Sequence, residues 1–239
     1  MSEIPISSII FFDIETVPGT PNFEDLSERM QAHWERKSGY FRKEGETAED
    51  VYQRAGIYSE FGKIVCISAG HISMKDGERI FRLKSYYGTD EASLLRDFAD
   101  MLNKFAATGE KFLCGHNSSE FDIPYVARRM LVNGIPLPDI INIAGKKPWE
   151  VKHLDTMNLW KFGDYKHYTS LDLLTAIFNI PTPKDDIDGS QVASVYYEEN
   201  DVTRIAKYCE KDVLAVVQLY LRMQNQALIK EENVEYSVE

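Results

Sequence analysis

The chain has 239 residues, 44% hydrophobic and 27% charged, with a net charge of −11. That length can bury the core of one large domain, and no apolar run approaches the ~20 residues of a membrane span. So acidic a chain is a poor general binder of polyanions, because nucleic-acid affinity is largely phosphate neutralisation by Lys and Arg. This disfavours a passive nucleic-acid coat but leaves room for an enzyme that grips a short strand end and recruits cations there.

In chain order, residues 9–14 (Ile-Ile-Phe-Phe-Asp-Ile) read as a buried strand that ends before Pro18-Gly19. Residues 22–37 have helical patterning, and Thr47 with Asp50 resembles a capping box opening a second helix over 48–55. This stretch, about residues 20–60, is expected to be a helical insertion within a single domain covering residues 1–239. Lys63–His71 and Arg79–Tyr86 follow as strands, with a Lys75-Asp76-Gly77 turn between them. Thr89–Phe105 is an amphipathic helix with Leu94, Leu95, Phe98, Met101 and Leu102 on one side.

Lys111–Cys114 reads as a short strand and Ile123–Val132 as a helix, with loops over 134–150 and an ambiguous stretch at His153–Trp160. Ser170 caps a helix through Phe178, and Gly189-Ser190 leads into another. The longest helix spans about Asp201–Gln226, with Ile205, Cys209, Val213, Val216 and Tyr220 on its buried side. The pattern is that of an α/β domain with a mixed central sheet. Cys66, Cys114 and Cys209 are far apart, with no CxxC pair. The opening MSEIPISS lacks the basic and long apolar segments of a secretory signal. Three buried thiols in a cytoplasmic protein are expected.

Three stretches carry chemistry. In Phe11-Phe12-Asp13-Ile14-Glu15-Thr16, the period-two strand puts Asp13 and Glu15 on one face about 7 Å apart. Two such carboxylates repel unless a cation lies between them, and hard divalent ions prefer oxygen ligands. The pair is equally compatible with a turn at a sheet edge. In His116-Asn117-Ser118-Ser119-Glu120-Phe121-Asp122-Ile123-Pro124, Asp122 lies at a helix start, where N–H dipoles favour its charge, as they would for an ordinary cap. In Tyr208-Cys209-Glu210-Lys211-Asp212, Tyr208 and Asp212 stack at i and i+4, and Glu210 and Lys211 are assigned to solvent.

The order DxE, NxxxFDxP and YCxxD resembles the DEDD exonuclease superfamily. Tyr208, together with Lys207 where the histidine branch carries His, points to its DEDDy branch. More specifically, the chain resembles bacterial predicted 3′–5′ exonucleases related to the proofreading domain of family-B DNA polymerases. Phe61–Ser68, Ser170–Leu174 and Ile187–Ser190 extend that likeness over nearly the whole chain. The resemblance implies a ribonuclease H-like fold, a five-stranded mixed sheet flanked by helices, in a free-standing nuclease.

It also implies two divalent cations, Mg²⁺ or Mn²⁺, about 3.5–4 Å apart. Asp13 would bridge them, Glu15 and Asp212 would complete the first, and Asp122 would hold the second. Tyr208 would orient the attacking water, and Thr16, Asn117 and Phe121 would hold the free 3′ end of a nucleic acid, expected to be single-stranded DNA. Phe121 is equally compatible with the core. Lys63, Lys146, Lys147, Lys161 and Lys166 are candidates for strand contacts or plain surface charge. Asp185, Asp186 and Asp188 read as a solvated turn, His153-Leu154-Asp155 as structural, and His116 and His167 lack ligand spacing. An exoribonuclease or short-oligonucleotide hydrolase is the first alternative, and an inactive nuclease-like scaffold the second.

Overall fold

The computed structural model describes residues 4–164, 168–181 and 186–237; Lys166, His167 and Asp185 lie outside them. Strand β1 (Ile9–Pro18) is longer than its apolar run and carries through to Pro18. It pairs antiparallel with β2 (Gly62–Lys75), which pairs antiparallel with β3 (Glu78–Tyr87). The tight turn between β2 and β3 uses left-handed Asp76 (φ 52) and Gly77 (φ 83), as a two-residue hairpin requires.

On the other side of β1, β4 (Phe112–Gly115) and β5 (Leu154–Asp155) add in parallel. The five expected strands are joined by β6 (Val234–Tyr236), a three-residue parallel edge on β3, giving the order β5-β4-β1-β2-β3-β6.

Between β1 and β2, Ser27 caps helix α1 (Glu28–Ser38). The Thr47–Asp50 box forms, with Thr47 N–H donating to Asp50 at 2.8 Å and Asp50 N–H to Thr47 Oγ1 at 3.2 Å. It opens onto a 3-10 turn over Tyr52–Ile57 rather than the expected helix. A reciprocal cap satisfies the first N–H groups of either helix type, so it marks a start and not a length. Trp34, Tyr52 and Phe61 pack this segment into its own aromatic cluster, with Trp34 Nε1 donating to Ala48 O at 2.8 Å.

Helix α2 (Glu91–Ala106) is capped by Asp90, and α3 (Asp122–Val132) follows β4. The ambiguous 153–160 stretch divides into β5 and α4 (Thr156–Lys161). Then come α5 (Leu171–Ile177), α6 (Val192–Ser194), a π turn over Val195–Glu199, and α7 (Val202–Met223).

Alternation along β1 sorts the layers. Ile10, Phe12 and Ile14 pack with Leu95, Phe98 and Val126 of α2 and α3. Ile9 and Phe11 pack with Val213, Val216 and Tyr220 of α7, and Val17 packs with Ile205 and Cys209. Asp13 and Glu15 therefore belong to the stripe that faces α7, between its two apolar ends.

On the other face of the sheet a buried ion pair ties α2, α3 and β2 together. Glu91 accepts from Ile64 N–H of β2 at 2.8 Å and from Arg129 of α3 at 2.9 and 2.6 Å, while Arg129 also donates to Ser59 O at 2.9 Å. Removing one partner of such a pair strands the other charge in the protein. Arg129→Met is expected to cost ~3–5 kcal/mol in urea denaturation; a loss below ~1 kcal/mol would show the pair to be dispensable.

Candidate active site

The DxE pair sits where β1 has outrun β4. Their pairing ends at Phe11 opposite Cys114, so Asp13 and Glu15 lie beyond the last parallel partner. On the β2 side the register holds to Glu15 opposite Cys66 and then shifts at Thr16. Such a bulge bends a strand and re-aims the side chains beyond it, a common device beside active sites. Glu15 is 8% exposed and Asp122 3% exposed.

Among the described residues, Asp13, Glu15 and Cys209 bring their ligand atoms within 4.8 Å of one another. Cys209 Sγ is 3.6 Å from Asp13 Oδ2 and donates towards Asp13 O at 3.5 Å. Asp122 and Asp212 lie outside this close group, and they and Tyr208 are within electrostatic reach of it. Burial first, then Asp122, Glu15 and Asp212, pushes the Asp13 carboxyl well above its usual range. Burial followed chiefly by Asp212 does the same to Glu15. Burial raises Asp122 to about 7, even though its own N–H and that of Ile14 partly offset the rise. Burial, then Asp212, Glu15 and Asp13, raises the Tyr208 phenol, whose hydroxyl bonds Asp212.

Among the described residues, no cationic side chain contributes to the shifts of Asp13 or Glu15; the charged groups acting on them are carboxylates and, at Glu15, the Cys66 thiol. Buried like charges at this spacing suit divalent cations. The donor set is hard carboxylate oxygen, with one thiol at its edge.

The turn before α3 is held by Asp155. Its carboxylate accepts from Asn117 N–H and Ser119 N–H at 3.0 Å each, and from Met157 N–H and Asn158 N–H of α4 at 3.0 and 3.3 Å. Gly115 lets the turn close, because a Cβ there would lie 2.5 Å from Ser118 Cβ. Asn117 takes a left-handed backbone (φ 62), and its Oδ1 is buried with no hydrogen-bond partner among the described residues. Phe121 occupies the cap position and packs partly into the core, 5.3 Å from the Tyr125 ring. Thr16 bonds the Tyr125 hydroxyl, which donates to Gly56 O at 2.7 Å. Both Thr16 and Phe121 are thus built into the packing around α3.

Other sequence expectations fall differently. Glu210 is half-buried rather than solvated: it lies over β3 and accepts from Ser85 Oγ at 2.7 Å. Lys211 is also half-buried rather than solvent-facing, on the same crowded turn of α7. Lys63 lies over the Tyr196 ring at 4.6 Å, and Lys147 over the Trp149 ring at 5.2 Å. His116 bonds Thr156 and Thr169 O at 2.9 and 2.8 Å, and His153 bonds Leu113 N–H and Ile140 O at 3.3 and 2.7 Å, which makes both structural. Asp186 pairs with Arg204 at 2.5 and 2.7 Å, and Asp188 accepts from Ser190. All three cysteines are free and buried.

Tyr168, which no sequence motif marks, is 66% exposed with its ring 6.3 Å from that of His116. Burial and then Asp122, Asp13, Asp155 and Asp212 raise its phenol, which places the hydroxyl in the field of the same carboxylates.

Residues 57–238 match a family described as predicted 3′–5′ exonucleases related to the exonuclease domain of PolB, and the chain belongs to that family. Asp122, Tyr208 and Asp212 lie inside the matched span; Asp13 and Glu15 precede it and are joined to it by the sheet. No curated protein matches the chain. Among the described residues, no helix is long and apolar enough to cross a membrane.

The raised carboxyls give a pH dependence whose sign is determined. Between about pH 4 and pH 7 the folded state holds an Asp122 proton that the unfolded chain has lost, and Asp13 and Glu15 act in the same direction. The metal-free protein should therefore gain stability as pH falls through that window. Its melting temperature is expected to be higher at about pH 5.5 than at about pH 8, and Mn²⁺ should raise it more at the higher pH. A metal-free melting temperature that falls steadily on acidification would contradict this arrangement.

Proposed function

From that membership and this geometry, we propose that the chain releases nucleotides one at a time from the 3′ end of single-stranded DNA, as a metal-dependent DEDDy-type phosphodiesterase. What supports the reading is that Asp13 and Glu15 lie together on β1 and that Asp122 of α3 and Asp212 and Tyr208 of α7 are within electrostatic reach of them. The DNA preference is part of the proposal, with RNA as the alternative substrate. Residues 1–239 are taken as one catalytic domain with an inserted segment at about 20–60, working in the reducing cytoplasm that suits three free thiols.

Asp13, Glu15, Asp122 and Asp212 would hold two cations of the Mg²⁺ or Mn²⁺ type. When bound, these would neutralise the phosphate and stabilise both the attacking and leaving oxygens of an in-line displacement. The remaining work belongs to the protein. Tyr208 keeps its proton at neutral pH, because burial and three carboxylates oppose the phenolate. It therefore positions the attacking water by hydrogen bonding and is a poor base. Asn117 Oδ1, buried and without a partner among the described residues, is an acceptor suited to a terminal 3′-hydroxyl. The apolar side chains on either side of Asp13 and Glu15 lower the local dielectric around the pair.

The test is the product ladder from a 5′-labelled oligonucleotide, run in parallel on matched DNA and RNA. Wild type is expected to shorten DNA in single-nucleotide steps. Asp13→Ala and Asp212→Ala should abolish the ladder while keeping the fold, and Tyr208→Phe should slow it by on the order of 10²-fold. Internal fragments, or wild-type turnover in either Asp variant, would overturn the assignment. Faster shortening of RNA would move the substrate to the alternative.

A further inference from the structure

The chemistry proposed above uses carboxylates and a phenol, and it leaves a sulfur at the centre without a part. Cys209 of α7 is fully buried, with Sγ 3.6 Å from Asp13 Oδ2 and 3.5 Å from Asp13 O. Its sulfur, an Asp13 oxygen and a Glu15 oxygen all lie within 4.8 Å of one another. A tetrahedral zinc ion, with Zn–S of ~2.3 Å and Zn–O of ~2.0–2.2 Å, sets its sulfur and oxygen ligands about 3.5 Å apart. Asp13 and Cys209 stand close to that spacing.

A thiol donating to a carboxylate has a similar length, so this distance alone does not separate a metal ligand from core packing. Glu15 does. It is 8% exposed, and among the described residues no hydrogen bond or ion pair reaches its carboxylate. Buried charges are paired or coordinate metals, and a cation between the three ligand atoms is the partner this arrangement fits.

The sulfur side is also two thiols deep. Cys66 of β2, itself fully buried, is hydrogen-bonded to the Cys209 thiol. Carboxylate oxygen on one side and polarizable sulfur on the other is a donor set that zinc accepts, whereas Mg²⁺ takes oxygen. Asp13 is only half-buried, so an ion reaches the sulfur past it.

We propose that Asp13, Glu15 and Cys209 form a site for a thiophilic divalent cation of the Zn²⁺ class, with water as the fourth ligand. The Cys66 thiol stays outside the ligand set and holds the bound sulfur in place. On uptake the Cys209 S–H bond breaks, a sulfur–metal bond forms, and the proton passes to solvent. Binding stands apart from the nuclease reading; only its consequence rests on that reading. Asp13 cannot serve this ion and a catalytic Mg²⁺ pair together, so a filled site arrests hydrolysis.

The test follows sulfur–metal bonding directly. Chelator-treated full-length protein, kept reduced, is titrated with Co²⁺, whose thiolate complexes absorb in the near ultraviolet through sulfur-to-metal charge transfer. Wild type should develop this band and saturate at about one ion per chain. Equimolar Zn²⁺ should remove it and a large excess of Mg²⁺ should not. Cys209→Ser should abolish the band and weaken Zn²⁺ binding by about tenfold or more. Cys114→Ala removes a buried thiol on β4, outside the centre, and should leave the band as in wild type. Asp13→Asn keeps every thiol and relieves carboxylate repulsion, and it should still weaken Co²⁺ binding by about tenfold or more.

A wild type without the band would overturn the site, as would a band that survives Cys209→Ser, is lost equally in Cys114→Ala, or yields to equimolar Mg²⁺. A band in a protein that cuts no strand in Mg²⁺ would support the site and sink the nuclease reading. A product ladder that runs on with Zn²⁺ bound would overturn the arrest.

Discussion

The structure turns on a conflict placed at its centre: carboxylates occupy an apolar stripe between β1 and α7. Above and below them the stripe is ordinary core, with Ile9 and Phe11 against Val213 and Val216 at one end and Val17 against Ile205 at the other. A folded chain does not keep acids in such a place for stability, since each raises the cost of ionising the others. The local rules of sheet and helix packing are satisfied everywhere along the stripe except at the residues that would hold cations. Departures of that kind are expected where function outweighs stability.

Much of the surrounding structure serves to hold this arrangement still. The bulge after Glu15 ends the regular strand just beyond the pair, and β4 stops short so that the turn carrying Asn117 and Asp122 can reach β1. Asp155 fastens that turn to α4 with hydrogen bonds to backbone N–H groups. On the far side, the Glu91–Arg129 pair fixes α3 to the start of β2. None of these groups touches the reacting atoms in the proposed chemistry. They hold in place the elements from which the carboxylates project.

The features legible in the sequence were those with a period. Alternation in β1 placed Asp13 and Glu15 on one face, and the i, i+4 spacing placed Tyr208 above Asp212; both followed from local geometry. The long amphipathic helices α2 and α7 were readable for the same reason. Features that depend on long-range contact were not. Asp155 sits in a stretch whose patterning is ambiguous until the turn before α3 is seen folded over it, and Tyr168 belongs to no motif. The Thr47–Asp50 box was identified correctly as a start, but a cap does not encode the length or type of the helix it opens. Edge strand β6 is three residues long and exists only because β3 offers it an unpaired edge. Glu210 and Lys211, polar and next to each other on a helix, read as solvent-facing; sheet and helix packing half-buries them.

The acidic surface and the proposed chemistry are compatible once charge is considered locally. Net charge sets long-range approach, while the field at the site is set by what lies within a Debye length, ~8–10 Å at ordinary salt. The most direct test of the central claim is manganese titration by calorimetry at about pH 8, repeated in buffers of differing ionisation enthalpy. Saturable binding of about two ions per chain, with protons released because a buried carboxyl gives one up, is the predicted result. An absence of saturable uptake at millimolar manganese would mean that these carboxylates are not a cation site, whatever else they do.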